Sequence, residues 1–426
     1  MSTLLKHTAR LRFVITATVI GNTLEWLDFA LFGLLAPLFA KLFFPPNPSP
    51  AAITHPLFFI ALAGFARPIG GFIFGYLGDK SGRKSALVKT IVFMTIPATL
   101  ISVLPTYEQI GLMATLMLGF ICIFQGFCTG GEFPGSIVFL TESAPAKTRG
   151  YAGSWAYFGA ILGMFLSAFD LFFIHSQMPE EDFVQWGWRV PFFIGTVLGI
   201  AGFLLRRVLH ETPIFQKEKD AGEILKQPIA AVFKKFKTMI LLGLCVFMFD
   251  AVGFNTIIVF SSSYFGDVLK MTASEAFAIN TFTILIVLIF LPLGGKVSMR
   301  IGCLKLAKQA LLATMLLAYP LYILMDGTNI WSVLGAQAIL GSLLGLYLST
   351  LPDIVCALFP TQVRYSATAV VVNFSVALFG GTAPFVAIYL IEWTQMPHFP
   401  SVFIIGGALV SFLALFKVKD LKFYTR

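Results

Sequence analysis

Charge is scarce in this chain. Lys, Arg, Asp and Glu together make up 12% of its 426 residues, about half the share of an average soluble domain. The familiar marks of metal and nucleophile chemistry are missing as well. There is no C-x-x-C pair, no H-E-x-x-H and no G-x-S-x-G, and the few histidines are not clustered; this argues against a zinc site, a hydrolase elbow or any other intramembrane enzyme. Cys122, Cys128, Cys245, Cys303 and Cys356 lie in or beside apolar runs and read as small core residues, with no disulfide framework among them. Nothing calls for a cofactor.

What fills the chain instead is apolar: 57% of residues are hydrophobic, with 46 Phe and 37 Gly. Apolar runs fall near 13–40, 55–78, 86–105, 109–142, 150–174, 188–209, 238–262, 275–298, 306–325, 330–357, 364–392 and 399–417. Most exceed the ~20 residues that cross a bilayer. The reading is an all-α membrane protein of twelve transmembrane helices, its partners being the lipid bilayer and a small molecule. A net charge of +9 could suit nucleic acid, but its placement argues otherwise. If the N-terminus is inside, only Lys41, Arg189 and Lys270 among the 30 Lys and Arg fall outside, and Arg67 lies within a span. The positive-inside rule then puts both termini in the cytoplasm. The first span has a basic start, yet it is too long for a cleaved signal peptide and Glu25 and Asp28 interrupt it. It is expected to be retained.

The longest charged segment, 206–237, falls at the midpoint. It divides an expected N-terminal bundle (1–209) from a C-terminal one (238–426) through a cytoplasmic linker (210–237). Weak internal similarity supports two pseudo-symmetric six-helix bundles. "SAPAKTRGYAGS" (143–154) matches "LFPTQVRYSATA" (358–369), aligning Pro145 and Arg149 with Pro360 and Arg364. "GYLGDKSGRK" (75–84) matches "GKVSMRIGCLK" (295–305). Paired halves of this kind describe a secondary transporter.

The loop "GYLGDKSGRK" also carries a resemblance. Its G-x-x-x-D-x-x-G-R-K form, between the second and third spans, resembles the signature of the major facilitator superfamily. "GNTLEWLDF" (21–29), "FARPIGG" (65–71), "QGFCTGGE" (125–132) and "FPTQVRYSATAVVVNFSVALFGGTAP" (359–384) resemble its metabolite:proton symporters, a group that includes proline/betaine, α-ketoglutarate, citrate and shikimate carriers. The resemblance covers essentially the whole chain. It implies alternating access by rocking two halves about a central site, driven by the proton gradient; a bacterial inner membrane and a functional monomer are expected. A cytoplasmic gating set of Asp79, Gly82, Arg83, Glu142, Arg149 and Arg364 is expected, with Asp79 facing a helix N-terminus or a basic group. Two departures stand out: Cys122 where the family usually has a basic residue, and Ala357 where an acid is common. Met299 replaces Asp79 in the second half. Gly159 and Gly163 form a small-xxx-small pair suited to helix packing, without the longer glycine-proline run of drug antiporters.

Ionisable groups inside spans are rare and usually functional. Glu25 and Asp28 sit three apart near the middle of the first span, with Cβ atoms roughly 5–6 Å apart if helical. Two like charges in one low-dielectric site cannot both ionise cheaply, so one of the pair is expected to hold a proton near neutral pH. Arg67 on the next span would stabilise the other, and these three form the expected proton-coupling set. A structural Glu25–Arg67 tie is the alternative. Candidate substrate contacts are Trp26, Arg67, Glu132, Tyr157, Asp250, Asn255, Tyr347 and Asn373; for Asp250 a hydrogen-bonded core acid is an equal reading, and for the two asparagines helix-to-helix bonding is. Apart from Arg67, every charge placed well inside a span is acidic. A polyacid needs at least two cations to offset desolvation, so a zwitterionic amino acid or betaine is the favoured substrate, with an organic acid second. Arg189 threatens that argument if folding brings it inward. A transporter-derived sensor is a further reading, for which the short tail 418–426 offers no output domain.

Overall fold

The structure is a computed structural model that describes residues 2–45, 54–325, 327 and 329–418. Within the apolar runs the backbone has no water to bond to, and helices satisfy every N–H and C=O internally. The spanning helices are α1 (Ser2–Leu34), α2 (Thr54–Ser81), α3 (Arg83–Ser102), α4 (Leu112–Ser143), α5 (Arg149–Gln177) and α6 (Val190–Arg207). The second half supplies α7 (Lys237–Phe254), α8 (Ala273–Ile301), α9 (Cys303–Leu324), α10 (Ile330–Leu348, then Leu351–Leu358), α11 (Arg364–Ser375, resuming at Ala383–Thr394) and α12 (Pro400–Val418). No strand occurs among the described residues.

Ten of these helices are long and apolar enough to cross a bilayer. An eleventh is α1, which bends by 68° at Leu35 into a second segment, Ala36–Phe43. Pro37 opens that segment, where its missing N–H costs nothing. The twelfth expected span coincides with α2, whose 28 residues extend about 42 Å. The protein is therefore a multi-pass membrane protein, with helices where the apolar runs placed them.

By contact, the chain forms two units: residues 1–143 with 159–229, and 144–158 with 230–426. Within the expected linker 210–237, Glu211, Thr212 and Phe215 fold against α3 and α4 of the first unit. Residues 144–158 join the second unit through contacts such as Tyr157 with Asp250. The sequence repeat is visible in local backbone. Pro145 and Pro360 each lead into a 3₁₀ turn that opens a helix at Arg149 or Arg364. Gly82 and Gly302 each start a helix with positive φ, +109° and +89°.

Glycine sets the packing of the first unit. A methyl group on Gly70, Gly126 or Gly130 would stand within 2.1 Å of a backbone oxygen on the facing helix, so α2 and α4 touch main chain to main chain. Gly159 and Gly163 do the same for α5 against Val19 and Thr23 of α1, the packing role expected of that pair. Beneath the bend of α1, Phe39, Phe43, Trp188 and Phe192 pack edge to face, in the geometry aromatic quadrupoles favour. Cys122 lies in this apolar cluster. The second unit has a feature with no sequence signal: π turns at Asn255–Val259, Tyr264–Val268 and Val376–Gly380. Such turns recur at functional sites, and here Asn255 approaches Gly380.

Candidate functional site

Glu25, Asp28 and Arg67 are all at least nine-tenths buried in the first unit. Among the described residues, none of the four carboxylate oxygens has a hydrogen-bond partner, and neither do Arg67 Nε and Nη2. Three residues along a helix is about 60° around it, and that is enough to separate the two acids. Glu25 lies in the field of Arg67, Glu132 and Arg206. Asp28 turns to α6, where a methyl on Gly195 would come within 2.8 Å of its Oδ1, and it makes no ion pair among the described residues. The like-charge pair expected from spacing thus becomes two acids in different surroundings. Trp26, between them, is edge-on to Phe29 and Phe133.

Glu132 is not free for a substrate in this arrangement. Arg206 Nη2 donates to its Oε1 at 2.5 Å and Nη1 to its Oε2 at 2.8 Å, while Thr90 Oγ1 donates to Oε2 at 2.5 Å. Arg206 also donates to the carbonyls of Leu87 and Ala17, and Gly21 leaves room for its guanidinium. Arg206 was expected among the cytoplasmic charges; it is fully buried. The statement that Arg67 is alone among acids inside the spans is corrected accordingly. Arg206 is nevertheless neutralised by Glu132, and Arg67 keeps no such direct partner: no N–O approach within 4.0 Å joins it to an acid among the described residues.

At the other end of the unit, the expected gating residues Asp79, Gly82, Arg83 and Glu142 meet. Arg83 is fully buried, with Nη1 3.2 Å from Asp79 Oδ1 and Nε and Nη2 donating to Glu142 at 3.1 and 3.3 Å. Of the two partners expected for Asp79, a helix N-terminus or a basic group, the basic Arg83 is present, while Glu211 caps the N-terminus of α3, accepting from the backbone N–H groups of Arg83 and Lys84. Burial pushes the Glu211 carboxyl above the usual carboxylate range, against the pull of those donors. Thr212 donates to Glu142 and the Phe215 ring covers Arg83. Sequence reading missed these three, although "HETPIF" stands out as the first acid after α6. Gly82→Ala should lower stability by about 1–3 kcal/mol, since its φ is +109° and the added carbon would meet Glu211 Oε2. Thermal melting of the detergent-purified protein checks this; an unchanged midpoint would mean that the capping carboxylate moves aside freely.

Arg149 and Arg364 belong to the second unit. Arg149 makes no ion pair among the described residues. Arg364 Nε donates to the carbonyls of Cys356 and Phe359, where a cation suits the C-terminal end of a helix. Met299 is exposed, so the second half lacks the acid that Asp79 provides in the first.

In the second unit, Tyr157 donates to Asp250 Oδ2 at 3.1 Å. Tyr347 lies edge-on to Phe249, and its hydroxyl donates to the carbonyl of Val246. Asn255 and Asn373 each donate one turn back along their own helix, to Ala251 and Ala369. Tyr157, Asp250 and Tyr347 are thus brought close together, while Asn373 is held by its helix. Arg189, the feared extra cation, donates to the Leu104 carbonyl and lies over the Trp188 ring.

Comparison with known proteins places these features in context. A family model described as "Sugar (and other) transporter" matches residues 13–231. The proline/betaine transporter of Salmonella typhimurium is 33% identical over 420 residues, covering 96% of this chain and 84% of that protein. The glycine betaine/proline/ectoine/pipecolic acid transporter OusA of Dickeya dadantii is 33% identical with the same coverage. Among solved structures, the proton:xylose symporter XylE superposes with a TM-score of 0.80 at 17% identity, covering 96% of both chains. That likeness speaks for the fold.

Proposed function

The chain belongs to the major facilitator superfamily, as a membrane transporter akin to bacterial proline/betaine carriers, and on that premise we propose that it is a proton symporter for a zwitterionic amino acid or betaine. The observation that carries this reading is the division of charges in the first unit. Glu132 is paired one to one with Arg206, and Asp79 and Glu142 share Arg83. Glu25, Asp28 and Arg67 remain buried without a hydrogen-bonded partner on most of their polar atoms. Groups left so are the ones that can change partner during a transport cycle. One spare cation suits one carboxylate, and the partly buried Trp26, packed against Phe29 and Phe133 beside the acids, is the kind of ring an ammonium prefers. A dicarboxylate or citrate would need more positive charge than Arg67 supplies.

The proton gradient supplies the energy and no cofactor takes part. The Arg83 cluster serves as a cytoplasmic latch, in an inner-membrane monomer with both termini inside. Competition uptake tests the substrate class. At fixed pH, proline and glycine betaine should inhibit uptake at least tenfold more strongly than α-ketoglutarate, citrate or shikimate. Inhibition by the organic acids alone would overturn the zwitterion reading and leave the superfamily assignment standing.

A further inference from the structure

A groove of about 410 Å³ runs along the outer face of the first unit between α3 and α6. Val92, Ile96 and Leu100 form one wall, and Gly199, Ile200 and Phe203 the other. It exists because α6 presents glycine to α3: a methyl on Gly199 would lie 2.2 Å from Thr95 Oγ1. From Val92 to Leu100 it extends about 12 Å along the helix. Its hydroxyls are already spent, since Thr95 donates to the Ile91 carbonyl and Thr99 to that of Thr95. Such a groove offers nothing to a polar solute.

Its end near the start of α3 is different. The helices run antiparallel there, with Gly202 against Ile91 and Arg206 reaching Leu87. The same faces that line the groove continue, one turn on, into Lys89 (three before Val92) and Arg207 (four after Phe203), both exposed. Arg207 folds back over the Phe203 ring at 5.9 Å. Glu211, the nearest acid in sequence, is held at the α3 N-terminus by Arg83 and Lys84. The groove therefore ends in positive charge.

We infer that this groove binds an anionic phospholipid, with an acyl chain against Ile96, Gly199 and Ile200 and the phosphate at Lys89 and Arg207. An apolar slot with cations at one end is the complement of a lipid with a charged head, and basic pockets between spans are known to select such heads. The site is separate from the transported solute and makes the stability of the first unit depend on lipid composition.

The test uses the full chain, purified and delipidated in detergent, with thermal melting as the readout. Dioleoylphosphatidylglycerol should raise the midpoint more than dioleoylphosphatidylcholine, and glycerol 3-phosphate should have no effect. The double substitution Lys89→Gln/Arg207→Gln should weaken the phosphatidylglycerol response about 30-fold in concentration and leave the phosphatidylcholine response in place. Ile200→Trp, which fills the groove from its wall, should reduce it independently of charge. Equal stabilisation by the two lipids, or a full phosphatidylglycerol response in either variant, would overturn the assignment.

Discussion

Arg206→Gln should destabilise the protein by about 3–5 kcal/mol, because it leaves Glu132 buried and charged without its counter-ion. Glu132→Gln should cost a similar amount by orphaning Arg206. Both groups are fully buried, so neither can recover water in exchange. The double variant Glu132→Gln/Arg206→Gln should regain much of that loss, since two neutral amides can bond to each other and to the Thr90 hydroxyl and Leu87 carbonyl already present. A double-mutant cycle on melting midpoints isolates the coupling. Single variants within about 0.5 kcal/mol of the parent, the range of ordinary surface substitutions, would show that the pair is not the internal brace its geometry describes.

Asp28→Asn and Glu25→Gln should each abolish accumulation driven by a proton gradient. For one proton per solute, one unit of pH difference sustains about a tenfold gradient of solute; each variant should only equilibrate. The two should differ in what survives. Asp28 makes no ion pair and no side-chain hydrogen bond among the described residues, so its amide can replace it without disturbing the packing, and solute exchange should persist. Glu25→Gln removes the acid nearest Arg67, leaving that cation buried and unbalanced, and exchange should fall as well. Liposomes given a pH jump, with counterflow as the exchange measurement, separate these outcomes. Normal accumulation by both variants would remove α1 from the coupling mechanism.

Much of this architecture was legible in the sequence because the membrane makes few demands and enforces them strictly. Long apolar runs can only become helices there, and the paired motifs at Gly82 and Gly302 marked equivalent turns. The buried acids were equally plain, since a carboxylate in an apolar run must be either paired or used. What could not be read was pairing across space. Arg206 stands beside Arg207 at the end of a run, and adjacent residues on a helix face different ways; one enters the core and the other does not. A signal did exist: Gly195, Gly199, Gly202 and Arg206 recur at intervals of four, three and four, one stripe along the face of α6. The separation of Glu25 from Asp28 follows from neighbours contributed by α2 and α6, which spacing alone does not reveal.

The Glu132–Arg206 brace has a consequence for how the chain is made. Its two halves are 74 residues apart, so at ~5–20 residues per second α4 enters the bilayer several seconds before α6 is synthesised. Throughout that interval Glu132 has no guanidinium to meet, and an isolated ionised group at such depth costs ~3 kcal/mol even on lenient insertion scales. The nascent bundle must hold this acid through other means, in neutral form or near the translocation machinery, until the sixth helix arrives. Arrival of Arg206 then neutralises the acid and locks α1, α3, α4 and α6 together in one step. The last helix of the first half thus acts as a closing fastener, making completion of that half an event in biogenesis rather than a gradual accretion of helices.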